Sequence, residues 1–128
     1  ETNISELIYA VSKSLNYDLK EKKLQIKFQF PESIVAMADP EMLAIIVRNL
    51  LQNAIKFSRE GGKIEIKIRP EEKGFHLVIE DNGVGISNSR LLQIKNLQAR
   101  TSIPGTNGER GTGLGLLVCK EFLDFHMG

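Results

Sequence analysis

Apolar residues along this chain recur with two different periods, and the switches between them mark out its elements. Leu7, Ile8, Val11 and Leu15 follow at helical spacing, and Asn3 with Glu6 three residues later forms an N-cap pair, so the spacing predicts a helix over 4–15. The stretch LQIKFQF then alternates strictly: Leu24, Ile26, Phe28 and Phe30 fall on one face, and Gln25, Lys27 and Gln29 on the other. That is a half-buried strand, stopped by Pro31. SIVAMAD, 33–39, reads as a short second strand.

Asp39-Pro40 is a helix start by chemistry, because Asp accepts from free amides and Pro fits the first helical position. The helix is expected from Pro40 to Phe57, with Leu43, Val47, Leu50, Ala54 and Phe57 as its apolar stripe. Gly61-Gly62 turns the chain into KIEIKIR, where Ile64, Ile66 and Ile68 alternate with charges. EEKG makes the next turn, and FHLVIED is a strand paired to the previous one. A helix near 88–97 is expected, then a long loop over 99–112 containing Pro104, Gly105, Gly108 and Gly111. GLGLLVCKEFLDF reads as a last helix. Strands with one apolar face need a cover, and amphipathic helices need a surface to cover. The expected architecture is therefore α+β in two layers: one mixed sheet with about three helices on one face and water on the other.

Composition narrows the class. A length of 128 residues suits one domain, and the 41% hydrophobic and 26% charged fractions are those of a globular protein. A net charge of +1 gives no basic field for nucleic acid and no polybasic block for a membrane surface. The single cysteine, Cys119, excludes an internal disulfide and fits a reducing cytosol. No apolar run approaches the ~18 residues of a membrane-spanning helix. With no initiating methionine, the chain reads as a piece of something larger.

Three stretches carry candidate chemistry. In RNLLQNAIKF, Asn49 and Asn53 are four apart on one helical face, and Lys56 follows three residues on. Two amide oxygens and an ammonium could hold Mg2+ with phosphate, since Mg2+ takes few protein ligands and draws the rest from phosphate and water. A solvated polar face is the competing reading. In EDNGVGI, Asp81 ends a strand where an ionised carboxylate could accept from an exocyclic amino group such as adenine's. Gly83 and Gly85 let the backbone approach a flat ring, although the same residues also make an ordinary turn. GTGLGL, Gly111 to Leu116, places free amides at the start of a helix, a favourable place for phosphate. It is neither a dinucleotide fingerprint nor a Walker loop, because no strand precedes it and no Gly-Lys-Ser/Thr occurs.

Taken together and in this order, NLLQNAIKFS, DNGVGI and GTGLGL resemble the N box and the two glycine boxes of the sensor histidine kinase catalytic domain, in the GHKL superfamily. The resemblance spans nearly the whole chain and implies one domain over 1–128 with the Bergerat ATP-binding fold. It implies ATP and Mg2+ as cofactors, with Asn53 as the metal ligand, Asn49 beside the phosphates, and Lys56 on the γ-phosphate. It places Phe57 against adenine, Asp81 as the adenine anchor, and Gly83, Gly85 and Ile86 in the loop around it. Gly111, Gly113 and Gly115 become the hinge of an ATP lid at about 98–112, with Thr112 and Leu114 beside them in the ATP site, and Arg100 and Arg110 could reach phosphate from the lid.

The resemblance also implies partners: a dimerisation domain of the same protein carrying the acceptor histidine, and a response regulator downstream. The chain itself is expected to be monomeric, bind no nucleic acid and lie in the cytoplasm, alone or as part of a membrane-anchored sensor. Asn49 stands where the gyrase, mismatch-repair and chaperone branches have a general-base Glu, and a neutral amide cannot take that proton at pH 7. The phenylalanine-rich F box is replaced by LLQIKNLQARTS, which leaves a degenerate nucleotide- or partner-binding module as the alternative. Neither His76 nor His126 is followed by the acidic residue expected beside an acceptor. The family's final pair of strands would lie beyond Gly128.

Overall fold

The computed structural model describes residues 1–72 and 74–81. The expected helices and loop beyond residue 81 lie outside this range. Chain order is β1 (Thr2–Asn3), α1 (Ile4–Ser14), α2 (Asn16–Glu21), β2 (Gln25–Gln29), β3 (Val35–Ala36), α3 (Pro40–Phe57), β4 (Lys63–Glu71) and β5 (Gly74–Asp81).

The mixed sheet has the order β2-β4-β5. β2 runs parallel to β4, from Gln25 opposite Lys63 to Gln29 opposite Lys67, and β5 is antiparallel to β4. A parallel pair cannot be closed by a tight turn. Here α3 makes the crossover. Pro70 lies in β4 past the last residue paired with β2, so its missing N–H breaks no bond on that side.

Alternation in β4 buries Ile64, Ile66 and Ile68 against the helices, together with Val47, Leu51 and Ala54 of α3 and Ile4, Ile8 and Val11 of α1. Each isoleucine, valine or leucine among them, fully buried, contributes about 1.5–3 kcal/mol. α3 lies against β5, and α1 packs on α3. Arg48 Nη2 also donates to Ser14 Oγ at 3.2 Å, joining the two helices at their surface.

The opposite face of the sheet is wet and charged. Glu65 and Glu80 are directly opposite each other, an unfavourable like-charge pair. Lys67 bridges them, with its Nζ 3.8 Å from Glu65 and 3.0 Å from Glu80. The hydrogen-bonded Lys63 ammonium, with the charges of Lys67 and Lys27, holds the Glu65 carboxyl below the usual carboxylate range. His76 is exposed on this face, its Nδ1 3.5 Å from Glu71.

Both expected helix starts form as read. Asn3 accepts from Glu6 N at 3.2 Å, and Asp39 from Met42 N at 3.0 Å. Three details differ from the sequence expectation. Val35–Ala36 stays out of the mixed sheet and pairs antiparallel with Thr2–Asn3. Ser5 fixes this join: its fully buried hydroxyl donates to Pro31 O at 3.0 Å and accepts from Ile34 N at 3.1 Å. The buried stripe of α3 includes Ile46, Leu51 and Ile55, while Leu50 and Phe57 are only half-buried.

The third difference is α2, a short helix that the spacing did not predict. It ends in a Schellman motif: Leu24 N donates to Leu19 O at 2.8 Å and Lys23 N to Lys20 O at 3.0 Å. Glycine usually takes the left-handed position of this motif, but here it is Lys23, at φ 53°.

Two stability predictions follow from these contacts. Ser5→Ala leaves the buried Ile34 amide without its partner and should cost about 1–3 kcal/mol in urea unfolding; an unchanged midpoint would mean the hydroxyl holds nothing. Lys23→Gly should stabilise the chain by about 1 kcal/mol. The Lys23–Glu60 contact it removes is 3.5 Å long between exposed side chains and contributes little, so the backbone effect decides the sign. A lower midpoint for this variant would refute that ranking.

Candidate functional site

α3 sets out most of the site that is described. At 3.6 residues per turn, Asn49, Asn53 and Lys56 fall within about 60° of arc. All three are half-buried, along the border between the buried stripe and the solvent face. Asn costs roughly 0.5 kcal/mol against Ala in a helix interior, so two on one stripe are a small expense that packing alone does not require.

Lys56 Nζ lies over the Phe57 ring, 5.2 Å from its centroid. Such a contact contributes about 0.5–1 kcal/mol at an accessible site. A hydrogen bond to a charged group contributes about 1.5–3 kcal/mol. A phosphate within reach would compete with the ring contact.

Asp81 is the last residue of β5 and pairs with Ile64, the second residue of β4. Cross-strand partners share a face. Ile64 is fully buried on the helix side, so Asp81 is on that side too, but exposed at the sheet's end. The same end of β4 receives the chain from α3 through residues 58–62. The topology thus brings the last turns of α3 and Asp81 to one end of the sandwich.

The end of α3 is held by a residue that sequence reasoning missed. A helix leaves its last four carbonyls without intrahelical partners. Ala54 O accepts from Ser58 N at 3.0 Å and from Ser58 Oγ at 2.6 Å. Ile55 O and Lys56 O both accept from Lys22 Nζ, at 2.7 and 2.9 Å. Lys22 is 3% exposed, and its own carbonyl accepts from Gly61 N at 3.0 Å. Losing it would cost about 1–3 kcal/mol for each carbonyl stranded without a partner. A signal was present, since Leu15, Leu19 and Lys22 are spaced four and three apart and continue one buried stripe.

Gly83, Gly85, Ile86, Arg100, Arg110, Gly111, Thr112, Gly113, Leu114 and Gly115 lie outside the described residues. Among the described residues, no three His, Cys, Asp or Glu gather as a metal cluster. Among the described residues, Asn49 and Asn53 offer a cation amide oxygens, a donor set compatible with Mg2+ completed by phosphate and water. Among the described residues, no helix is long and apolar enough to cross a membrane.

Known proteins resemble this chain along most of its length. It is 35% identical over 120 residues to the sensor protein KdpD of Clostridium acetobutylicum, covering 93% of this chain and 13% of KdpD. It is 29% identical over 127 residues to the sensor histidine kinase TmoS of Ectopseudomonas mendocina, covering 98% of this chain and 13% of TmoS. The chain thus spans less than a quarter of the length of these curated relatives. Among solved structures, the catalytic domain of histidine kinase ThkA superposes with a TM-score of 0.80 at 24% identity, covering 97% of this chain and 78% of that one. ThkA in complex with response regulator protein TrrA gives 0.78 at 22% identity, covering 99% of this chain and 35% of that one. The sequence profile of the histidine kinase-, DNA gyrase B- and HSP90-like ATPases matches residues 38–128. With that match across most of its length, on the two-layer sandwich of a histidine kinase catalytic domain, the chain belongs to the histidine kinase-, DNA gyrase B- and HSP90-like ATPase family and within it resembles the sensor histidine kinases.

Proposed function

We propose that this chain is the ATP-binding catalytic domain of a sensor histidine kinase. It binds Mg-ATP and, in the full-length protein, supports transfer of the γ-phosphoryl group to a histidine on a separate dimerisation domain. A response regulator acts downstream, and the domain works in the cytoplasm. The observation that carries this reading is the placement of Asn49, Asn53 and Lys56 on one stripe of α3, ending at the same end of the sheet as Asp81.

Asp81 accepts from the adenine amino group, and Phe57 offers its ring face beside it. Asn53 gives its amide oxygen to Mg2+, and Asn49 orients the phosphates. Lys56 leaves the Phe57 ring to meet the terminal phosphate. The metal, when bound, spreads the charge of the phosphate oxygens. Phosphoryl transfer asks the protein mainly for positioning and charge stabilisation, which amides and an ammonium can give without a general base. Asn49 supports transfer to a protein side chain over hydrolysis, because an amide does not activate water.

Calorimetric titration of the 128-residue chain with an ATP analogue tests the assignments. Asp81→Asn turns one acceptor into a donor facing an amino group, and affinity should fall about tenfold or more. Unchanged affinity would remove Asp81 from the adenine site. Asn53→Ala should abolish the gain in affinity that Mg2+ gives the wild type. If the wild type binds equally well with and without Mg2+, the metal role is wrong.

The stretch LLQIKNLQARTS, in place of an F box, keeps a second reading in play: a module that binds nucleotide without transferring phosphate. Mixing the chain with a separate dimerisation domain and radiolabelled ATP decides between them. Label on that domain's histidine is the expected result, and nucleotide binding without label would favour the module.

A further inference from the structure

Among the described residues, Lys22 is the only charged side chain in the buried class. Its ammonium sits on the carbonyls of Ile55 and Lys56, the negative end of α3. That location has a consequence for anion binding. The macrodipole puts roughly half a negative charge at a helix C-terminus, so an anion is disfavoured there. The proposed phosphate contact, Lys56, nevertheless belongs to this last turn. Something has to offset the carbonyl charge, and Lys22 covers two of the four terminal carbonyls with a cation.

The same residue fixes geometry. α3 passes into Ser58 with an extended backbone, φ −74° and ψ 149°, without a left-handed cap of its own. Lys22 grips the turn from outside, by its side chain at Ile55 and Lys56 and by its carbonyl at Gly61. The main chain of Lys56 is therefore held by a residue 34 positions earlier in the sequence.

We propose that Lys22 is a positioning residue for the phosphate end of the site: it fixes the last turn of α3 and neutralises its carbonyl end, so that Lys56 can meet a nucleoside triphosphate. This rests on the reading of Lys56 as the phosphate contact. Lys22 itself need touch no ligand.

The test compares ATP with AMP, both with Mg2+, on the 128-residue chain. Lys22→Met should lower ATP affinity about five- to tenfold and change AMP affinity less than about twofold, since AMP lacks the terminal phosphates. Lys22→Arg keeps the cation and should recover most of the loss. Lys22→Gln keeps hydrogen-bond donors without the charge; it should lose ATP affinity, by no more than Lys22→Met, and it serves in its place if Lys22→Met does not fold. Asn3→Ala, which removes the cap of α1, controls for destabilisation alone and should leave the ATP-to-AMP ratio at the wild-type value. A wild-type ratio in Lys22→Gln, or an equal change in Asn3→Ala, overturns the role of Lys22 and leaves the nucleotide site standing. A wild-type chain that binds neither nucleotide overturns the site and this inference together.

Discussion

Parallel pairing of β2 with β4 is the constraint from which the rest follows. Two parallel neighbours need a crossover, and the crossover must bury an apolar stripe on the sheet it spans. α3 meets both needs. Its Asp39 cap starts it cleanly, and Val47, Leu51 and Ala54 join the isoleucines of β4 in one buried core. Having crossed, it must end where β4 begins. The antiparallel return of β5 then delivers Asp81 to that same end. Among the described residues, the last turns of α3 and Asp81 do not have to find each other by chance, because the route of the chain decides which ends meet.

What could be read from the sequence follows how local each cause is. α3 was legible at both ends because its start is an Asp-Pro pair and its apolar positions keep one period for 18 residues. The strands 63–71 and 74–81 were legible because three isoleucines alternate with charges and one short turn joins the pair. α2 was not, because the residue that closes it is Lys23, in a position where the visible signal would be glycine. β3 was expected to serve the mixed sheet, and two residues carry no period that could assign them to one sheet or the other. The stripe Asn49, Asn53 and Lys56 needed only helical spacing. Lys22 continues the spacing of Leu15 and Leu19, but it stands among lysines and glutamates, and its partners lie more than thirty residues away, so the spacing alone does not say what it holds.

The charge balance at the end of α3 also bears on why the proposed site would need a metal. Phosphate is usually met by helix N-termini, where amides and dipole act together. Here the described part of the site offers phosphate the C-terminal end of a helix. Lys22 offsets the carbonyls but is buried beneath them, and Lys56 brings a single positive charge to the surface. One ammonium cannot balance the several negative charges of a triphosphate. On the proposed reading, the remaining stabilisation would come from a divalent cation and from donors outside the described residues. Asn49 and Asn53 suit that division of labour: neutral amides can hold a cation and orient oxygens without adding negative charge beside the phosphates. Carboxylates at the same two positions would bind the metal more strongly, but they would repel the substrate at the end of the helix where repulsion is already built in.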